Sequence, residues 1–284
     1  MDKIIFTCKT ITPLVMNGAY GEHPELRPPG IKASLRFWWR ALHGHLPLDD
    51  LRKQEAEIFG STKGRSKVLI RIEEQLEEQI NSRTYLLPHK QTEREKSPVP
   101  AFIPELTCKV RINCGCNSAQ KDMLKNLFIL ACTLGGWGKR SRRGFGSVAV
   151  SEVDGFPYSS PIDLQGILNC INSIVPGRYS IQSNAIKPVS LISKQKAEDY
   201  PFVLEIKVGT ETTTLARIGQ VTHDVKAGNS SEYSKSLGDG RPRLASPVYV
   251  SILANDIPVI TTLKKDPWVN AELQNSLKSK ILNA

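Results

Sequence analysis

The sequence predicts an α+β fold in which antiparallel sheets carry helices packed on one face, as in the split βαβ arrangement. Two observations lead to this prediction. Segments with a strand pattern and segments with a helix pattern alternate in both halves of the chain. The turn-rich run DGFPYSSP, at residues 154–161, separates those halves. Because 284 residues suffice for one large or two ordinary domains, we expect one domain over residues 1–155 and another over 156–284.

The first half opens with a β-branched run at residues 3–11, which predicts a strand. Apolar residues then recur with a 3.6-residue period from Ile31 to Leu42, between Pro29 and Gly44, and this pattern predicts a helix. Strict alternation from Leu106 to Cys114 predicts a half-buried strand. The remaining predictions are helices over 49–59 and 124–134 and a strand over 145–153. Residues 69–81 fit either a strand or a charged helix.

The second half continues the mixture of strands and helices. An apolar stripe predicts a helix over residues 164–174, and alternation predicts a strand from Phe202 to Val208 with Phe202, Leu204, Ile206 and Val208 facing inward. Residues 222–240 are polar and predict a loop that contains the dipeptide His223–Asp224. Strands over 247–253 and 257–263 and a closing helix over 268–281 complete the prediction.

The charge of the chain favours a polyanionic partner. Lys and Arg number 38 against 28 Asp and Glu, which leaves a formal charge of +10. The N-terminal segment has no apolar run typical of a secretory signal, and the longest apolar stretch, residues 127–137, is shorter than the roughly 20 residues of a membrane helix. We therefore expect a cytoplasmic protein with no membrane partner, whose 6 cysteines are reduced thiols.

The helix predicted over residues 31–42 has an apolar face beside a cationic one. The apolar face holds Ile31, Leu35, Trp38 and Leu42, and the adjoining arc holds Lys32, Arg36, Arg40 and His43, with Trp39 at the border. Such an arc suits contact with phosphates, and the Trp39 ring suits stacking on a base. The alternative is an amphipathic surface helix whose arginines only extend into solvent.

The run GGWGKRSRRGFG, at residues 135–146, combines five glycines with Lys139, Arg140, Arg142 and Arg143. Glycines allow close backbone approach to a ligand and the cations match phosphate charge, so we expect a clamp on a nucleic-acid backbone. The alternative is a flexible basic loop without a specific ligand. The run lacks the GxxxxGK[ST] pattern, so nothing supports nucleotide hydrolysis.

A third basic cluster, SLGDGRPRLASP, contains Arg241 and Arg243 just before a predicted strand. It either extends the same basic surface or is simply a turn rich in Gly, Asp and Pro.

The patterns of cysteine and histidine favour structural roles over metal binding. Cys108 and Cys114 share the apolar face of a strand, and with Cys116 they lack the spacing of a four-ligand zinc site. His43 and His45 have no matching carboxylate motif. We therefore expect no metal, no cofactor and no catalytic residue.

Three segments resemble the RAMP superfamily of CRISPR effector proteins. They are TPLVMNGAYGEHPELRPPGIKASLRFWWRALHG, GGWGKRSRRGFGS and GRPRLASPV. Within that superfamily the resemblance is to the first-numbered subunit of the type III-B (Cmr) RNA-targeting complex. It implies two tandem ferredoxin-like (RRM-like) domains. Residues 60–100 and the C-terminal tail carry little of it.

The resemblance also implies a non-catalytic, RNA-binding role. In the family this subunit caps the complex at the end distal to the 5′ tag of the CRISPR RNA, near the 3′ region of the guide and its target. The implied partners are CRISPR RNA, target single-stranded RNA, the backbone subunit and the second capping subunit. The implied RNA-binding residues are Asn17, Gly18, Arg27, Lys32, Arg36, Trp39, Arg40, Lys139, Arg140, Arg142, Arg143, Gly144, Arg241 and Arg243.

Two other functions remain open at this point. Some RAMP relatives process CRISPR RNA with a histidine and no metal, which would make His43 the candidate general base of an endoribonuclease. The chain could instead be an adaptor in which Trp38, Trp39 and the closing helix only dock neighbouring proteins.

Overall fold

The computed structural model describes residues 2–18, 21–75, 82–88, 98–190, 200–227, 235–240, 243–264 and 270–283. The α-helices are α1 (Pro28–Leu42), α2 (Leu48–Phe59), α3 (Ser118–Leu134), α4 (Leu164–Ile174), α5 (Leu215–Ala227) and α6 (Ala271–Leu282). The strands are β1 (Asp2–Thr10), β2 (Val68–Gln75), β3 (Arg83–Thr84), β4 (Val99–Pro100), β5 (Thr107–Cys114), β6 (Val148–Val153), β7 (Phe156–Pro157), β8 (Tyr179–Gln182), β9 (Ala185–Pro188), β10 (Phe202–Val208), β11 (Asp239–Gly240), β12 (Arg243–Leu244), β13 (Val248–Ile252) and β14 (Pro258–Lys264).

The first half folds around an antiparallel sheet with the strand order β2-β5-β1-β6-β7. β1 lies between β5 and β6, and its register places Phe6 opposite Val110. The alternating residues of β1 and β5 bury one face against α1 and α3, and Phe6 stacks on Phe128 of α3 at 4.0 Å between ring centroids. The two strands and the two helices predicted for this core are confirmed.

Two boundaries in the first half differ from the prediction for local reasons. α3 begins at Ser118, because Asn117 and Gln120 form a reciprocal capping box that starts the helix inside the polar run before its apolar stripe. β6 begins at Val148 rather than at residue 145, because Gly144 and Gly146 have φ values of +80° and +64° that no extended strand allows. The ambiguous segment forms the strand β2 up to Gln75, and residues 76–81 lie outside the described part.

The second half has its own sheet, with the strand order β13-β14-β10-β9-β8. Alternate residues of β13 and β14 face opposite ways: Tyr249 and Val259 join the core with α3 and α4, whereas Val250 and Ile260 join a second core with α5 and α6. The α+β class is confirmed. Helices cover both faces of this sheet at β13 and β14 rather than one, because these strands are apolar on both faces.

The structure of the second half differs from the sequence prediction at three points. The segment expected to be a loop from residue 222 contains the last part of α5, which places His223–Asp224 on a helix; its spaced apolar residues Ile218, Val221 and Val225 are buried. The β8–β9 hairpin was not predicted at all. In β10 a bulge next to Val203 breaks the alternation, so Val203 is buried while Leu204 is only half-buried.

Candidate nucleic-acid interface

A groove of about 810 Å³ opens where the two halves of the molecule meet. Four segments form its walls: the loop after β1, the first turns of α1, the glycine-rich run that follows α3, and Tyr249 of β13. Four of the residues predicted to bind RNA line this groove together: Asn17, Arg27, Lys139 and Arg140. Their positions in the sequence are far apart, and the fold brings them to one site.

The N-terminus of α1 supplies one wall of the groove. Pro28 and Pro29 occupy the first two positions of the helix and have no N–H, and the N–H groups of Gly30 and Ile31 both donate to the carbonyl of Arg27. The first turn also contains no acidic residue, and the exposed Arg27 immediately precedes it. The helix dipole favours an anion at this end, and the positive charge of Arg27 adds to it.

The glycine-rich run supplies the opposite wall with Lys139 and Arg140. The side chains of these two residues and of Arg27 form no ion pair within the described part of the chain. Arg140 has a left-handed backbone with φ +59°, and its Nε is buried without a hydrogen-bond partner among the described residues. Burial lowers the pKa of Arg140. A desolvated guanidinium that lacks a partner is suited to accept an anionic ligand from the groove.

Neighbouring protein backbone closely approaches two glycines of this run. A Cβ on Gly138, which has φ +84°, would overlap the carbonyl oxygen of Val15, and the N–H of Lys139 donates to that same oxygen at 2.7 Å. A Cβ on Gly136 would lie 2.7 Å from the carbonyl oxygen of Phe145. These two glycines therefore accommodate neighbouring protein backbone, and contact of the run with a nucleic-acid backbone stays a prediction.

Arg142, Arg143 and Gly144 connect the glycine-rich run to the second half. Arg142 donates to the carbonyl of Ser246 at 2.6 Å and its guanidinium lies 4.6 Å from the ring centre of Tyr249. Arg143 donates to the carbonyls of Leu237 and Val248, and the amide of Gly144 donates to Val250. Burial, followed by repulsion from neighbouring arginines, lowers the pKa of Arg143 to about 10. These side chains are engaged inside the protein, and RNA contact by them stays a prediction.

The cationic arc of α1 lies outside the groove, where its members hold other parts of the protein. Arg36 and Arg40 both bond Glu55 of α2, which is only 4% exposed, at 2.7 and 2.5 Å. The Nζ of Lys32 donates to the Ser66 hydroxyl and to the carbonyl of Val68, and burial together with Arg36 lowers its pKa. The arc therefore joins α1 to α2 and to β2.

Trp39, for which RNA contact was predicted, and His43, for which a general-base role was the alternative, are both buried. The Trp39 ring is 2% exposed and stacks on the His43 ring at 3.9 Å, so it presents no open face to a base or to a partner protein. His43 donates from Nδ1 to the carbonyl of Trp39 at 2.7 Å, and burial lowers its pKa to about 4. Trp38, only 1% exposed, belongs to the core as predicted.

Gly18 is a further predicted residue that does not line the groove. Gly18 packs against the Glu25 side chain beside Asn17, and Asn17 itself donates weakly to the carbonyls of Gly21 and His23. The backbone of Arg243 belongs to β12, whereas Arg241 lies outside the described residues. RNA contact by these residues stays a prediction.

Phe37 and Tyr249 line the groove although sequence reasoning did not identify them. Their ring centroids lie 5.4 Å apart, and Tyr249 also meets Trp38 edge to face at 5.2 Å. Phe37 comes one residue before Trp38 of the buried stripe of α1, and Tyr249 belongs to an apolar strand. Neither residue therefore shows a local sequence signal of binding. The pair forms an aromatic wall only because the two halves meet at this point.

The described residues contain no cluster of His, Cys, Asp and Glu with the arrangement of a metal site. Cys108 and Cys114 are buried on the apolar face of β5, as the alternation predicted. Cys116 is half-buried, and burial together with Cys114 raises its pKa to about 11, which disfavours the thiolate form. Among the described helices none is long and apolar enough to cross a membrane.

Comparison with known proteins points to relatives from Pyrococcus furiosus. The chain is 40% identical over 76 residues to the CRISPR system Cmr subunit Cmr1-2, which covers 26% of this chain and 41% of that protein. It is 48% identical over 54 residues to Cmr subunit Cmr1-1, covering 18% and 16% respectively. The matched segments therefore span less than half of either relative.

Solved structures match over nearly the whole chain. The apo crystal structure of Cmr1 from Pyrococcus furiosus superposes with a TM-score of 0.64 at 19% identity, covering 99% of this chain and 97% of that one. A subunit of the type III-B Cmr-beta complex bound to cognate target RNA gives a TM-score of 0.62 at 10% identity, covering 98% and 99%. At these identities the matches establish the fold, and they agree with the tandem ferredoxin-like arrangement.

A model of the family described as the RAMP superfamily matches residues 7–149, which is half of the chain. This match runs from β1 through α1 and α3 to the start of β6, and so includes three of the four segments that form the groove. The chain belongs to the RAMP superfamily.

Proposed function

We propose that this protein is a non-catalytic, RNA-binding subunit of a type III-B (Cmr) CRISPR effector complex in antiviral defence. It caps the complex and holds the 3′ region of the CRISPR RNA, its target, or both. The observation that carries the proposal is the groove at the junction of the two halves, where Arg27, Lys139 and Arg140 surround a concave surface without an ion-pair partner among the described residues.

The chemistry of the groove suits single-stranded RNA. Cations neutralise phosphates, while the wall formed by Phe37 and Tyr249 offers apolar surface to a base. Besides the cations, glycines and apolar or aromatic side chains make up most of the lining of the groove. Base pairing with a guide can supply the sequence specificity that such a surface lacks.

The relatives support the assignment to a Cmr complex. The two curated relatives are named as Cmr subunits, and one structural match is titled as a Cmr-beta complex bound to cognate target RNA. On this proposal the partners are CRISPR RNA, target RNA and the neighbouring backbone and capping RAMP subunits. The expected location is the cytoplasm.

The environment of His43 favours binding over cleavage. A general base works best with a pKa near the operating pH and must reach the proton it removes. The pKa of His43 is lowered to about 4, its Nδ1–H is bonded to Trp39, and its ring is 8% exposed. The endoribonuclease alternative would require this ring to be solvent-accessible, so we propose that the protein does not cut RNA.

Fluorescence anisotropy with a labelled single-stranded RNA over a salt series tests the proposal. We expect Arg27→Gln/Lys139→Gln to weaken binding at least tenfold and to lower the salt slope by about 1.4, which corresponds to two lost phosphate contacts at about 0.7 each. The RNA recovered from the wild-type reaction should be intact on a denaturing gel.

The matched control is Arg52→Gln/Lys53→Gln, which removes the same two charges from an exposed part of α2 away from the groove. We expect this control to bind almost as the wild type does. Equal losses of RNA affinity in the two double variants would show that binding depends only on the overall positive charge and not on the groove, which would overturn the proposal. Cleavage that disappears in His43→Gln would overturn the non-catalytic assignment alone.

A further inference from the structure

A second groove, of about 540 Å³, lies in the second half of the molecule. It is formed by α6, the strand β10 and the turn between β8 and β9. None of its residues lines the groove assigned to RNA. We call it the lysine groove, because Lys207 and Lys278 line it and Lys187 adjoins it at Glu205. The function proposed above makes no use of it.

The lysines of this groove converge on one carboxylate. Lys278 Nζ bonds Glu205 Oε2 at 2.7 Å, whereas Lys207 and Lys187 lie 3.5 and 3.8 Å from Oε1. Hydrogen bonding and charge from these lysines lower the pKa of Glu205 although burial opposes the shift, so the carboxylate is ionised at neutral pH. Three positive charges against one negative charge leave the cluster with a net charge of +2.

The cluster is arranged by the fold rather than scattered on the surface. Glu205 and Lys207 point to the same face of β10, since they are two residues apart on a strand. Lys278 is 8% exposed and approaches them from α6, where Asn275, Lys278 and Ser279 share one helical face. A buried ammonium that is held in this way keeps its position when a ligand enters.

The remaining lining carries hydroxyl and amide side chains, of which the Ser279 hydroxyl already donates to the carbonyl of Ser276. Ser183 and Asn184 of the β8–β9 turn, Thr210, Asn275, Ser279 and Asn283 surround the groove. Hydroxyl and amide groups complement the charges of lysines around a phosphate, because each phosphate oxygen accepts more than one hydrogen bond. Lysine acts as a point charge toward phosphate, without the fork geometry with which arginine holds carboxylates.

We propose that the lysine groove binds a dianionic phosphate group. At pH 7 such a group carries about −1.5 to −2 charges, which matches the net charge of the cluster, whereas a single carboxylate from a protein partner would neutralise only half of it. The ligand is either free phosphate or the terminal phosphate of a nucleotide. Both sources present the same chemistry to Lys207 and Lys278.

The test is the shift in thermal unfolding temperature on adding 10 mM inorganic phosphate, compared with potassium chloride at equal ionic strength. Because a ligand that binds only the folded state stabilises it, we expect a rise of about 3 °C. Nucleoside monophosphate and the unphosphorylated nucleoside are the second and third probes. A response to the monophosphate larger than to phosphate identifies a nucleotide as the ligand, and equal responses identify phosphate alone.

Lys187→Gln/Lys207→Gln should abolish the shift, because it lowers the net charge to zero while it leaves the buried Lys278–Glu205 pair intact. The control Arg217→Gln/Lys280→Gln removes two exposed charges of α5 and α6 outside the groove and should keep the shift. The shift should also persist in Arg27→Gln/Lys139→Gln, which separates this site from the RNA groove. No shift in the wild type, an equal shift with the nucleoside, or an unchanged shift in Lys187→Gln/Lys207→Gln would overturn the proposal.

Discussion

The arginines of this molecule have three roles: ion pairing with a buried carboxylate, donation to main-chain oxygens, and lining the groove. Partners that lie far away in sequence determine which role each arginine takes. Arg36 and Arg40 neutralise the buried Glu55, and Arg143 donates to main-chain oxygens about 100 residues away in sequence, such as Val248. Arg140 keeps a buried Nε without a partner among the described residues. Sequence reasoning assigned one role to all of them, because charge and spacing carry no information about a partner from another element.

His43 gives a residue-scale prediction of pH dependence. Its pKa in the folded protein, about 4, lies below the usual 6.5, so between these values the unfolded chain binds a proton that the folded chain excludes. Stability should therefore fall as the pH drops from 6.5 to 4.5, with His43 contributing about 1 kcal/mol per pH unit. Urea unfolding at pH 7, 6 and 5 measures this slope.

The variant His43→Gln should have a flatter pH profile than the wild type, although His45, whose pKa burial also lowers, retains part of the slope. His23→Gln, on an exposed loop, is the control and should keep the wild-type slope. Identical slopes in all three proteins would contradict the burial of His43 as a neutral ring.

At the scale of elements, helices and strands with a clear apolar pattern in the sequence were predicted correctly, whereas a short hairpin without such a pattern was missed. The apolar stripes of α1 and α4 and the alternation of β5 identified those elements correctly, since each buries a face that is visible in sequence. The β8–β9 hairpin escaped detection because its strands have 4 residues each and its turn uses Ser183 and Asn184 in place of glycine.

The glycine-rich run yields a prediction that separates backbone strain from steric overlap. Gly138 and Gly155 have φ values of +84° and +85°, but only Gly138 lacks room for a Cβ, which would overlap Val15. We expect Gly155→Ala to lower the free energy of unfolding by about 1 kcal/mol through strain alone. Gly138→Ala should cost at least about 2 kcal/mol more, because the backbone has to shift.

Chemical denaturation followed by circular dichroism compares the two variants. Equal stability of Gly138→Ala and Gly155→Ala would contradict the close contact between Gly138 and the carbonyl oxygen of Val15.

For the whole molecule, the junction between the halves creates the groove that we propose binds RNA. The first half brings Arg27, Lys139 and Arg140, and the second half brings Tyr249. Sequence reasoning selected these cations as RNA-binding residues, which stays a prediction, but it missed the aromatic wall, which exists only after the halves dock. The proposed boundary near residue 155 stays a prediction, although the chain passes from the first sheet to the second after β7.

Arg143 should be the strongest single contributor to this junction. Replacing it by methionine keeps bulk but leaves the carbonyls of Leu237 and Val248 without their donor, so we expect a loss of about 3 kcal/mol in the free energy of unfolding. Hydrogen exchange at the amides of Gly144 and Ile252 should also accelerate, because both amides bond across the junction.

Lys139→Met is the control for this prediction, since it removes a cation from the exposed part of the same run. It should leave both the stability and the exchange at Gly144 close to wild type. Comparable effects of the two substitutions would show that the junction does not depend on Arg143.

The arginines of the junction donate to carbonyl oxygens, and every amino acid supplies a carbonyl oxygen whatever its side chain. A substitution at position 237 or 248 that preserves the path of the backbone therefore keeps the bond from Arg143. The two surfaces are free to change their side chains independently while they stay joined. Among related proteins, residue changes in the glycine-rich run should then be only weakly correlated with changes in the strand it meets. This holds although the contact between them shapes the groove.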